Sequence, residues 1–231
     1  MAEMIEVTRP GGGRVPAYYA EPADAQNAPG VVVIQEWWGL IDSIKETADK
    51  LAAAGFRALV PDLYRGRKAA VGDEANHLME GLDFQDALTQ DVHGALLHLK
   101  KGGQKAGVLG YCMGGALALL AAMHLSDTDA AVVFYGMPPE QAGDPSQIET
   151  PVQLHFGTDD EFFQRDAVKA LEQKLQAGNV PYEFYWYEGA RHGFCNPNQK
   201  GKSGLGNYDE RAARTAWERA EDFLTRTLSP R

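Results

Sequence analysis

The sequence predicts a doubly wound α/β fold, in which helices cover both faces of a mostly parallel sheet. Strand-like and helix-like segments alternate at least five times along the chain, which is typical of this fold class. One strand-like run, 31–34, is apolar at every position and therefore suits a strand buried on both faces. The 231 residues, 44% of them hydrophobic, show no linker and no repeat, so a single domain over 1–231 is expected.

The predicted strands are short runs rich in β-branched and aromatic residues. Segments 4–8 and 15–20 flank three consecutive glycines and predict an antiparallel hairpin at the edge of the sheet. The remaining strands are expected at 31–34, 56–60, 105–110, 130–135, 152–156 and 182–187.

The predicted helices carry apolar residues at helical spacing. They are expected at 43–54, 84–100, 113–124, 164–177 and 208–228. Ser43 and Glu46 have the spacing of a capping box at the start of the first helix, and Gly55 suits its end. The polar stretch 62–82 has no clean period, which indicates a long excursion above the sheet.

The charge balance narrows the class of partner. Lys and Arg number 22 against 32 Asp and Glu, which gives a formal net charge of −10. Such an acidic chain is a poor candidate for binding nucleic acid or an anionic membrane, since both need a basic face. The N-terminus lacks the features of a signal peptide, and two cysteines cannot form a disulfide framework. We therefore expect a soluble, cytoplasmic protein that acts on a small molecule as a monomer or small homo-oligomer.

The motif GYCMGG at 110–115 is the sharpest chemical signal in the sequence. It follows a predicted strand and opens a predicted helix, which is the pattern of the glycine-x-nucleophile-x-glycine elbow with Cys112 as the nucleophile. The helix would point its free N–H groups and the positive end of its dipole at the sulfur, which favours the thiolate. The N–H of Met113 would stabilise an oxyanion. A buried structural cysteine in a tight turn is the alternative interpretation.

An elbow of this kind requires an acid and then a histidine, each after a later strand. His192 lies in a glycine-flanked loop after the last predicted strand, and Asp159 and Asp160 follow the strand before it. The glycine-x-x-aspartate spacing from Gly157 favours Asp160 as the acid, with Asp159 as the alternative. The expected order of nucleophile, acid and base is therefore present.

These motifs give the chain a resemblance to the dienelactone hydrolases (carboxymethylenebutenolidases) of the α/β-hydrolase superfamily. The matching segments are QEWWG at 35–39, PDLY at 61–64, GYCMGG at 110–115, HFGTDD at 155–160 and YEGARHGF at 187–194. The resemblance implies the α/β-hydrolase fold and a Cys-Asp-His triad at Cys112, Asp160 and His192. It implies no metal and no organic cofactor.

The resemblance also implies roles for residues near the ends of two strands. In this family the glutamate at the position of Glu36 lies beside the resting cysteine and takes part in generating the thiolate when substrate arrives. By the same analogy, the backbone N–H of Trp37 is the second oxyanion donor. Trp38 and Tyr64 are expected to contact the substrate.

The departures from the family concern the carboxylate of the substrate. Members that act on the carboxylated lactone hold it with arginines, one of them shortly after the catalytic histidine, where this chain has Asn196. The other arginine belongs to the excursion after Tyr64, where no motif places it. Arg65, Arg67 and Arg191 are nearby candidates, and Arg67 is the one we name for substrate binding. A solvated surface arginine is the alternative interpretation of each.

The sequence therefore predicts a cysteine-dependent hydrolase of small-molecule esters or lactones that proceeds through a thioacyl-enzyme. The alternative within enzymes is a general carboxylesterase or thioesterase that acts on other substrates. A different class is a non-catalytic member of the fold, in which Cys112 is a redox-sensing thiol or the pocket binds a ligand. Cys195 is expected to be a packing residue, with a second oxidisable sulfur as the alternative.

Overall fold

The chain folds around one eight-stranded sheet, and the computed structural model describes residues 1–199 and 208–229. The strands are β1 (Ala2–Thr8), β2 (Arg14–Ala20), β3 (Gly30–Ile34), β4 (Arg57–Pro61), β5 (Ala106–Tyr111), β6 (Ala131–Phe134), β7 (Val152–Gly157) and β8 (Tyr182–Tyr187). Their order in the sheet is β1-β2-β4-β3-β5-β6-β7-β8. The pairs β1–β2 and β2–β4 are antiparallel, and the other neighbouring strands are parallel. The predicted fold class, with its hairpin at the sheet edge, is confirmed.

The helices follow the strands in the alternation that the sequence predicts. They are α1 (Asp42–Ala53), α2 (Gly72–Glu80), α3 (Phe84–Asp86), α4 (His93–Leu99), α5 (Met113–His124), α6 (Arg165–Ala177) and α7 (Glu210–Leu228). Short 3₁₀ turns occur at Glu140–Ala142, Pro145–Gln147 and Pro197–Gln199. Within the described ranges, no helix combines the length and the apolar character needed to cross a membrane.

The centre of the sheet is covered on both faces. Every residue of β3, β5, β6 and β7 is buried, which requires packing against each face. α5 packs on β5 and β6, and its Ala- and Leu-rich sequence is buried along most of its length. The carboxyl ends of these parallel strands meet at one edge, where sites form in open α/β sheets.

His155 is a polar residue inside this core. Its Nε2 donates to the side-chain oxygen of Gln153 at 2.9 Å, so its Nδ1 accepts from the Tyr187 hydroxyl at 2.8 Å. Burial, followed by the charge of the nearby Arg219, lowers the pKa of His155 to about 3. The ring is therefore neutral and serves the packing of β7 against β8.

The first helix begins differently from the prediction. α1 starts at Asp42, and Ile41 precedes it without any side-chain cap, so the predicted capping box is wrong. The Ser43 hydroxyl instead accepts a hydrogen bond from Asn198 Nδ2 at 3.2 Å, and this tertiary contact replaces the local one. Gly55 follows the helix with φ +95°, as expected of a glycine after a helix end.

Two further segments differ from the prediction. The first is more regular than expected and the second is less regular. The excursion 62–82 contains α2, whose only buried residues are Ala75 and Leu78, too few to produce a clear apolar period. The helix predicted over 84–100 is realised as α3, a π-helical segment at Ala87–Val92 and α4 in direct succession.

Candidate active site

Cys112 lies at a sharp turn between β5 and α5. Its backbone has φ 54° and ψ −116°, a conformation that residues with side chains rarely adopt. Glycines make the turn possible: a Cβ on Gly110 would lie 1.9 Å from the carbonyl oxygen of Gly114, and one on Gly114 would lie 2.3 Å from that of Ile34. The motif therefore folds into an elbow that places Cys112 at the N-terminus of α5.

A continuous line of hydrogen bonds joins Cys112, His192 and Asp160. His192 Nε2 lies 3.1 Å from Cys112 Sγ, and His192 Nδ1 lies 2.9 Å from Asp160 Oδ2. The side chains of His192 and Asp160 are only 7% and 2% exposed, so the pair is shielded from water. The three residues follow β5, β7 and β8, whose carboxyl ends bring them together.

Of the two candidate acids, the structure brings Asp160 to the histidine. Its Oδ2 faces His192, and its Oδ1 accepts from the backbone N–H groups of Phe162 and Phe163 at 2.8 Å and 3.0 Å. Asp159 is exposed to solvent. Both oxygens of Asp160 are therefore engaged, and this fixes the carboxylate against the imidazole.

The electrostatic surroundings favour a charged His192. Burial makes the largest single contribution and lowers its pKa, but the charge of Cys112 and the hydrogen bonds and charge of Asp160 outweigh burial. The pKa of His192 is raised as a result to about 10. These contacts therefore favour the imidazolium form of His192.

Glu36 follows β3 and is buried, with 3% of its surface exposed. Its Oε2 accepts from Asn196 Nδ2 at 2.5 Å, and its Oε1 lies 3.5 Å from the Tyr135 hydroxyl. Burial raises the pKa of Glu36 to about 7, although His192, Asn196 and Tyr135 each lower it. The hydrogen-bond partner of the Cys112 thiol is His192 and not this carboxyl group.

Met113 and Trp37, the two residues expected to supply oxyanion N–H groups, line the same cavity as Cys112. Met113 is the first residue of α5, and Trp37 lies in the turn after β3. In the described part of the chain neither N–H donates to another backbone group. Both amides are therefore candidate donors to an oxyanion formed in that cavity.

Cys112 opens into an apolar cavity of about 230 Å³, which we call the front cavity. Its lining residues are Glu36, Trp37, Met79, Phe84, Cys112, Met113, Ala116, Met137, Pro139, Phe162, Phe163 and His192. The excursion 62–82 supplies Met79 from α2 and therefore contributes to the wall of this cavity. Across the described ranges, no Lys or Arg lines it.

Three residues expected to contact substrate lie outside the lining of the front cavity. Tyr64 is buried, and its hydroxyl donates to Met113 Sδ at 3.4 Å. Trp38 packs edge to face against Trp37, with ring centroids 5.2 Å apart. Arg67 is exposed and donates from Nε to the Tyr64 carbonyl at 3.3 Å.

The other two candidate arginines have protein partners. Arg65 donates to both carboxylate oxygens of Asp91, at 2.9 Å and 2.8 Å. Arg191 pairs with Glu161 at 3.2 Å. Neither lines the front cavity, so the structure brings none of the three arginines to the sulfur.

A second cavity of about 350 Å³, the rear cavity, shares Glu36 with the front cavity. Its wall near Glu36 is formed by Tyr111, Tyr135, Cys195 and Asn196. Burial, followed by the nearby Glu36, raises the pKa of the Cys195 thiol well above its ordinary value. Cys195 is therefore a neutral thiol at physiological pH.

Several residues of the site have no counterpart in the sequence prediction. Phe162 and Phe163 contact the His192 ring, with centroids 4.6 Å and 5.8 Å away, and their position directly after Asp160 is the local signal that could have found them. Tyr135 lies at the end of β6 with φ 37°, and no motif marks it. Met137 comes from the same loop and reaches the site only through the fold.

The arrangement can carry out nucleophilic acyl transfer. It combines a thiol, an imidazole within hydrogen-bond distance, a carboxylate that orients the imidazole, and two free amides. Among residues 1–199 and 208–229, no group of three or more His, Cys, Asp or Glu side chains is placed to hold a metal ion.

The fold and this site are together those of an α/β hydrolase, with Cys112 at the turn between β5 and α5. The chain belongs to the dienelactone hydrolase family, whose model matches residues 15–228. The protein is accordingly a hydrolase that acts on carboxylic esters.

Relatives and solved structures agree with this assignment. The chain is 32% identical to Protein usf of Aquifex pyrophilus over 99% of this chain and 100% of the relative. It is 30% identical to the carboxymethylenebutenolidase of Pseudomonas putida over 97% and 96%. The dienelactone hydrolase-like promiscuous phosphotriesterase P91 from metagenomic libraries superposes with a TM-score of 0.87, 27% identity and 99% coverage of both chains. Esterase 2 of Thermogutta terrifontis, 20% identical with 100% and 96% coverage and a TM-score of 0.72, shares the fold.

Proposed function

We propose that the protein hydrolyses uncharged carboxylic esters or lactones of small molecules through a Cys112-Asp160-His192 triad and a thioacyl-enzyme. The observation that carries the proposal is the hydrogen-bonded line from Cys112 through His192 to Asp160, which opens into the front cavity. This line supplies a nucleophile, a base and a group that orients the base.

In the acylation step, the thiol proton of Cys112 passes to His192, and the sulfur forms a bond to the carbonyl carbon of the ester. The N–H groups of Met113 and Trp37 hold the oxyanion. When the tetrahedral intermediate collapses, the ester C–O bond breaks and the alcohol leaves with the proton from His192. The acyl group remains on the sulfur as a thioester.

In the deacylation step, His192 accepts a proton from water, and the water oxygen forms a bond to the thioester carbon. The C–S bond then breaks, which releases the carboxylic acid and restores Cys112. Asp160 stabilises the imidazolium in both steps. Since a thiolate is a good leaving group, activated esters such as enol lactones are the expected substrates and amides are poor ones.

We assign Glu36 the role of supporting the charged form of His192. The charge on His192 lowers the pKa of Glu36, and by reciprocity the ionised carboxylate stabilises the imidazolium. Glu36 thus favours the thiolate of Cys112 indirectly, through His192. Its position directly after β3 places it at the edge where Cys112 and His192 meet.

The lining of the front cavity supports an uncharged substrate. Its walls are Met, Phe, Trp, Pro and Ala side chains, and its titratable groups are Glu36, Cys112 and His192. A substrate carboxylate would lose its hydration there without gaining a Lys or Arg partner from the described residues, and Glu36 would repel it. A neutral acyl or alkoxy group, by contrast, gains apolar contacts.

The first experiment measures hydrolysis of p-nitrophenyl acetate by freshly reduced enzyme and by Cys112→Ser and Cys112→Ala. We expect activity in the wild type, loss in both variants, and one acetyl group on Cys112 in the mass spectrum of rapidly quenched enzyme. Cys195→Ala is the matched control and should retain activity and the acetyl adduct. Activity that survives in Cys112→Ala would defeat the proposal.

A second experiment tests the charge of the substrate. A carboxylated dienelactone and its methyl ester share the lactone ring, and the carboxyl group is charged in the first and capped by a methyl group in the second. The kcat/KM values for opening of the lactone ring therefore compare the two classes. We expect the methyl ester to be the better substrate. A clear preference for the carboxylated lactone would show that an arginine binds the carboxylate, and Arg67→Ala would then test the residue assigned from the sequence.

A second candidate activity is hydrolysis of uncharged phosphotriesters. The apolar front cavity, which suits neutral molecules, favours it, and P91 is described as a promiscuous phosphotriesterase. The Cys112 thiolate would form a bond to phosphorus and expel an aryloxide leaving group. Release of p-nitrophenol from paraoxon, absent in Cys112→Ala, tests this activity.

We further propose that the chain works as one domain in the cytoplasm. Strands from β1 to β8 share one sheet, and α7 packs back on β5 and β7, so the two ends of the chain join the same structure. Both cysteines are free thiols, and a thiol nucleophile needs a reducing compartment. Gel filtration of the purified chain distinguishes the monomer from a small homo-oligomer.

A further inference from the structure

Two hydrogen bonds other than the one to Glu36 hold Asn196 in place. Its backbone N–H donates to the Gly193 carbonyl at 2.8 Å, and its side-chain Oδ1 accepts from the backbone N–H of Asn198 at 2.9 Å. Because a backbone donor occupies the oxygen, the amide NH₂ group must face Glu36. Asn196 is 4% exposed, so water competes little for this contact.

Glu36 is therefore held by neutral donors. Asn196 bonds Oε2, the Tyr135 hydroxyl contacts Oε1, and in the described ranges no Lys or Arg forms an ion pair with the carboxylate. Tyr135 is itself anchored through its N–H, which donates to the His155 carbonyl at 2.8 Å. The titratable groups that face Glu36 from the surrounding elements are His192, Cys112, Tyr111, Tyr135 and Cys195.

We propose that Asn196 is a positioning residue: its hydrogen bond holds the Glu36 carboxylate on the wall between the two cavities, so that Cys112 pairs with His192 before any substrate binds. The proposal rests on the proposed function and deepens it. In this arrangement the free enzyme already holds nucleophile and base in contact, and a substrate does not have to displace a carboxylate from the thiol.

The hydrogen bond also favours the ionised form of Glu36. A donor N–H stabilises a carboxylate more than a neutral carboxyl group, and burial has the opposite effect. Without the Asn196 amide, only the long contact with Tyr135 remains, so Glu36 takes up a proton at a higher pH. A neutral Glu36 no longer supports the charge on His192, and Cys112 becomes less reactive as a nucleophile.

The consequence for Asn196→Leu is measurable in two ways. We expect kcat/KM for p-nitrophenyl acetate near pH 7 to fall about tenfold, and the acidic limb of its pH profile to move up by about one pH unit. Since kcat/KM reports the free enzyme, alkylation of Cys112 by iodoacetamide without substrate should slow in parallel.

A double-variant comparison separates this role from a structural one. The four proteins are the wild type, Asn196→Leu, Glu36→Gln and the double variant. If Asn196 acts through Glu36, adding Asn196→Leu to Glu36→Gln changes neither the pH profile nor the alkylation rate. Equal effects of Asn196→Leu in both backgrounds would overturn the proposal.

Asn196→Asp and Asn198→Ala complete the design. Asn196→Asp keeps the size of the side chain but sets a second carboxyl group beside Glu36, so a larger upward shift of the acidic limb is expected even if Asn196→Leu folds poorly. Asn198→Ala removes only an exposed side-chain bond to Ser43 and should match the wild type. A wild-type pH profile in Asn196→Asp would contradict the inference.

The two proposals fail in different ways. Esterase activity that survives in Cys112→Ala would contradict the proposed triad. Failure of the positioning role would appear in a Cys112-dependent enzyme whose Asn196 variants titrate and alkylate like the wild type. The alkylation rate tests Asn196 independently of any substrate.

Discussion

The two buried carboxyl groups of the site, Asp160 and Glu36, differ in the number of hydrogen bonds that they accept. Asp160 accepts hydrogen bonds from His192, Phe162 and Phe163 through both of its oxygens, which suits a fixed anion. Glu36 accepts from a single amide and has one long hydroxyl contact, and burial raises its pKa to about 7. Asp160 is therefore held by hydrogen bonds on both oxygens, whereas Glu36 titrates within the physiological range.

Replacing Asp160 with Asn tests the fixed anion. Loss of the charge removes stabilisation of the imidazolium, so kcat should fall by about 10² to 10⁴. The pKa of His192 should fall as well, which appears as a downward shift of the basic limb of the pH profile. Asp159→Asn, its exposed neighbour, is the control and should retain wild-type kinetics. If Asp159→Asn is the damaging variant instead, the acid has been assigned to the wrong residue.

Individual site residues can be predicted from the sequence where they belong to a short motif. Cys112 and His192 stand in glycine-flanked motifs, and spacing from Gly157 selects the aspartate that the structure brings to the histidine. The contact between Glu36 and Asn196 spans 160 positions and no local pattern marks it, so the fold had to reveal it.

The elbow is the element on which the site depends most. A Cβ on Gly114 would lie 2.3 Å from the carbonyl oxygen of Ile34, in the backbone of β3, which has no room to move. Gly114→Ala should therefore lower the free energy of unfolding by at least about 3 kcal/mol, as measured by urea denaturation. Gly81→Ala is the control, because its φ of −82° is ordinary and its nearest contact lies at 3.4 Å. Equal stability of the two variants would show that β3 yields to the added methyl group.

The segment after Asp160 should control acyl specificity. Phe162 lines the front cavity with its ring 4.6 Å from that of His192, although half of its surface is exposed. Phe162→Ala should lower kcat/KM for p-nitrophenyl butyrate about tenfold more than for the acetate, since only the longer acyl chain needs the ring. Leu97→Ala, which removes an exposed apolar side chain outside the cavity, should leave the ratio unchanged. An equal loss of kcat/KM for both esters would mean that Phe162 supports the His192 ring and does not contact the acyl chain.

Elements were predicted well where burial is continuous and poorly where it is sparse. β3, β5 and β6 are apolar at nearly every position and were identified from composition alone. α2 buries only Ala75 and Leu78, so its period is too weak to detect. The capping box does not form because α1 begins at Asp42, one residue before Ser43. The Ser43 hydroxyl instead accepts from Asn198, 155 positions away.

The stability of the whole molecule should depend on pH through its two buried histidines with opposite signs. Burial lowers the pKa of His155 to about 3, so between pH 6.5 and 3 the unfolded chain binds a proton that the folded protein does not. Stability from this group is lost as the pH falls below 6.5. The pKa of His192 is raised to about 10, so its contribution is lost as the pH rises from 6.5 towards 10.

His155→Gln isolates the acidic arm of this dependence. The free energy of unfolding of the wild type should fall by up to about 1.4 kcal/mol per pH unit on account of His155, and the variant should lose less over the same interval. Urea denaturation at about pH 7 and about pH 4.5 measures the difference. His77→Gln, on the surface, should follow the wild type. Parallel curves for wild type and His155→Gln would contradict the prediction.

The double engagement of Asp160 constrains how this enzyme can evolve. The same carboxylate orients His192 and anchors the backbone of Phe162 and Phe163, so insertions or deletions in that loop would disturb catalysis while they reshape the binding surface. Met79, on α2, and Met137 also line the front cavity, but their backbones are not anchored by a residue of the proposed triad. Laboratory selection for bulkier substrates should therefore accumulate its tolerated changes at Met79 and Met137. Lineages that first change the loop after Asp160 should lose turnover.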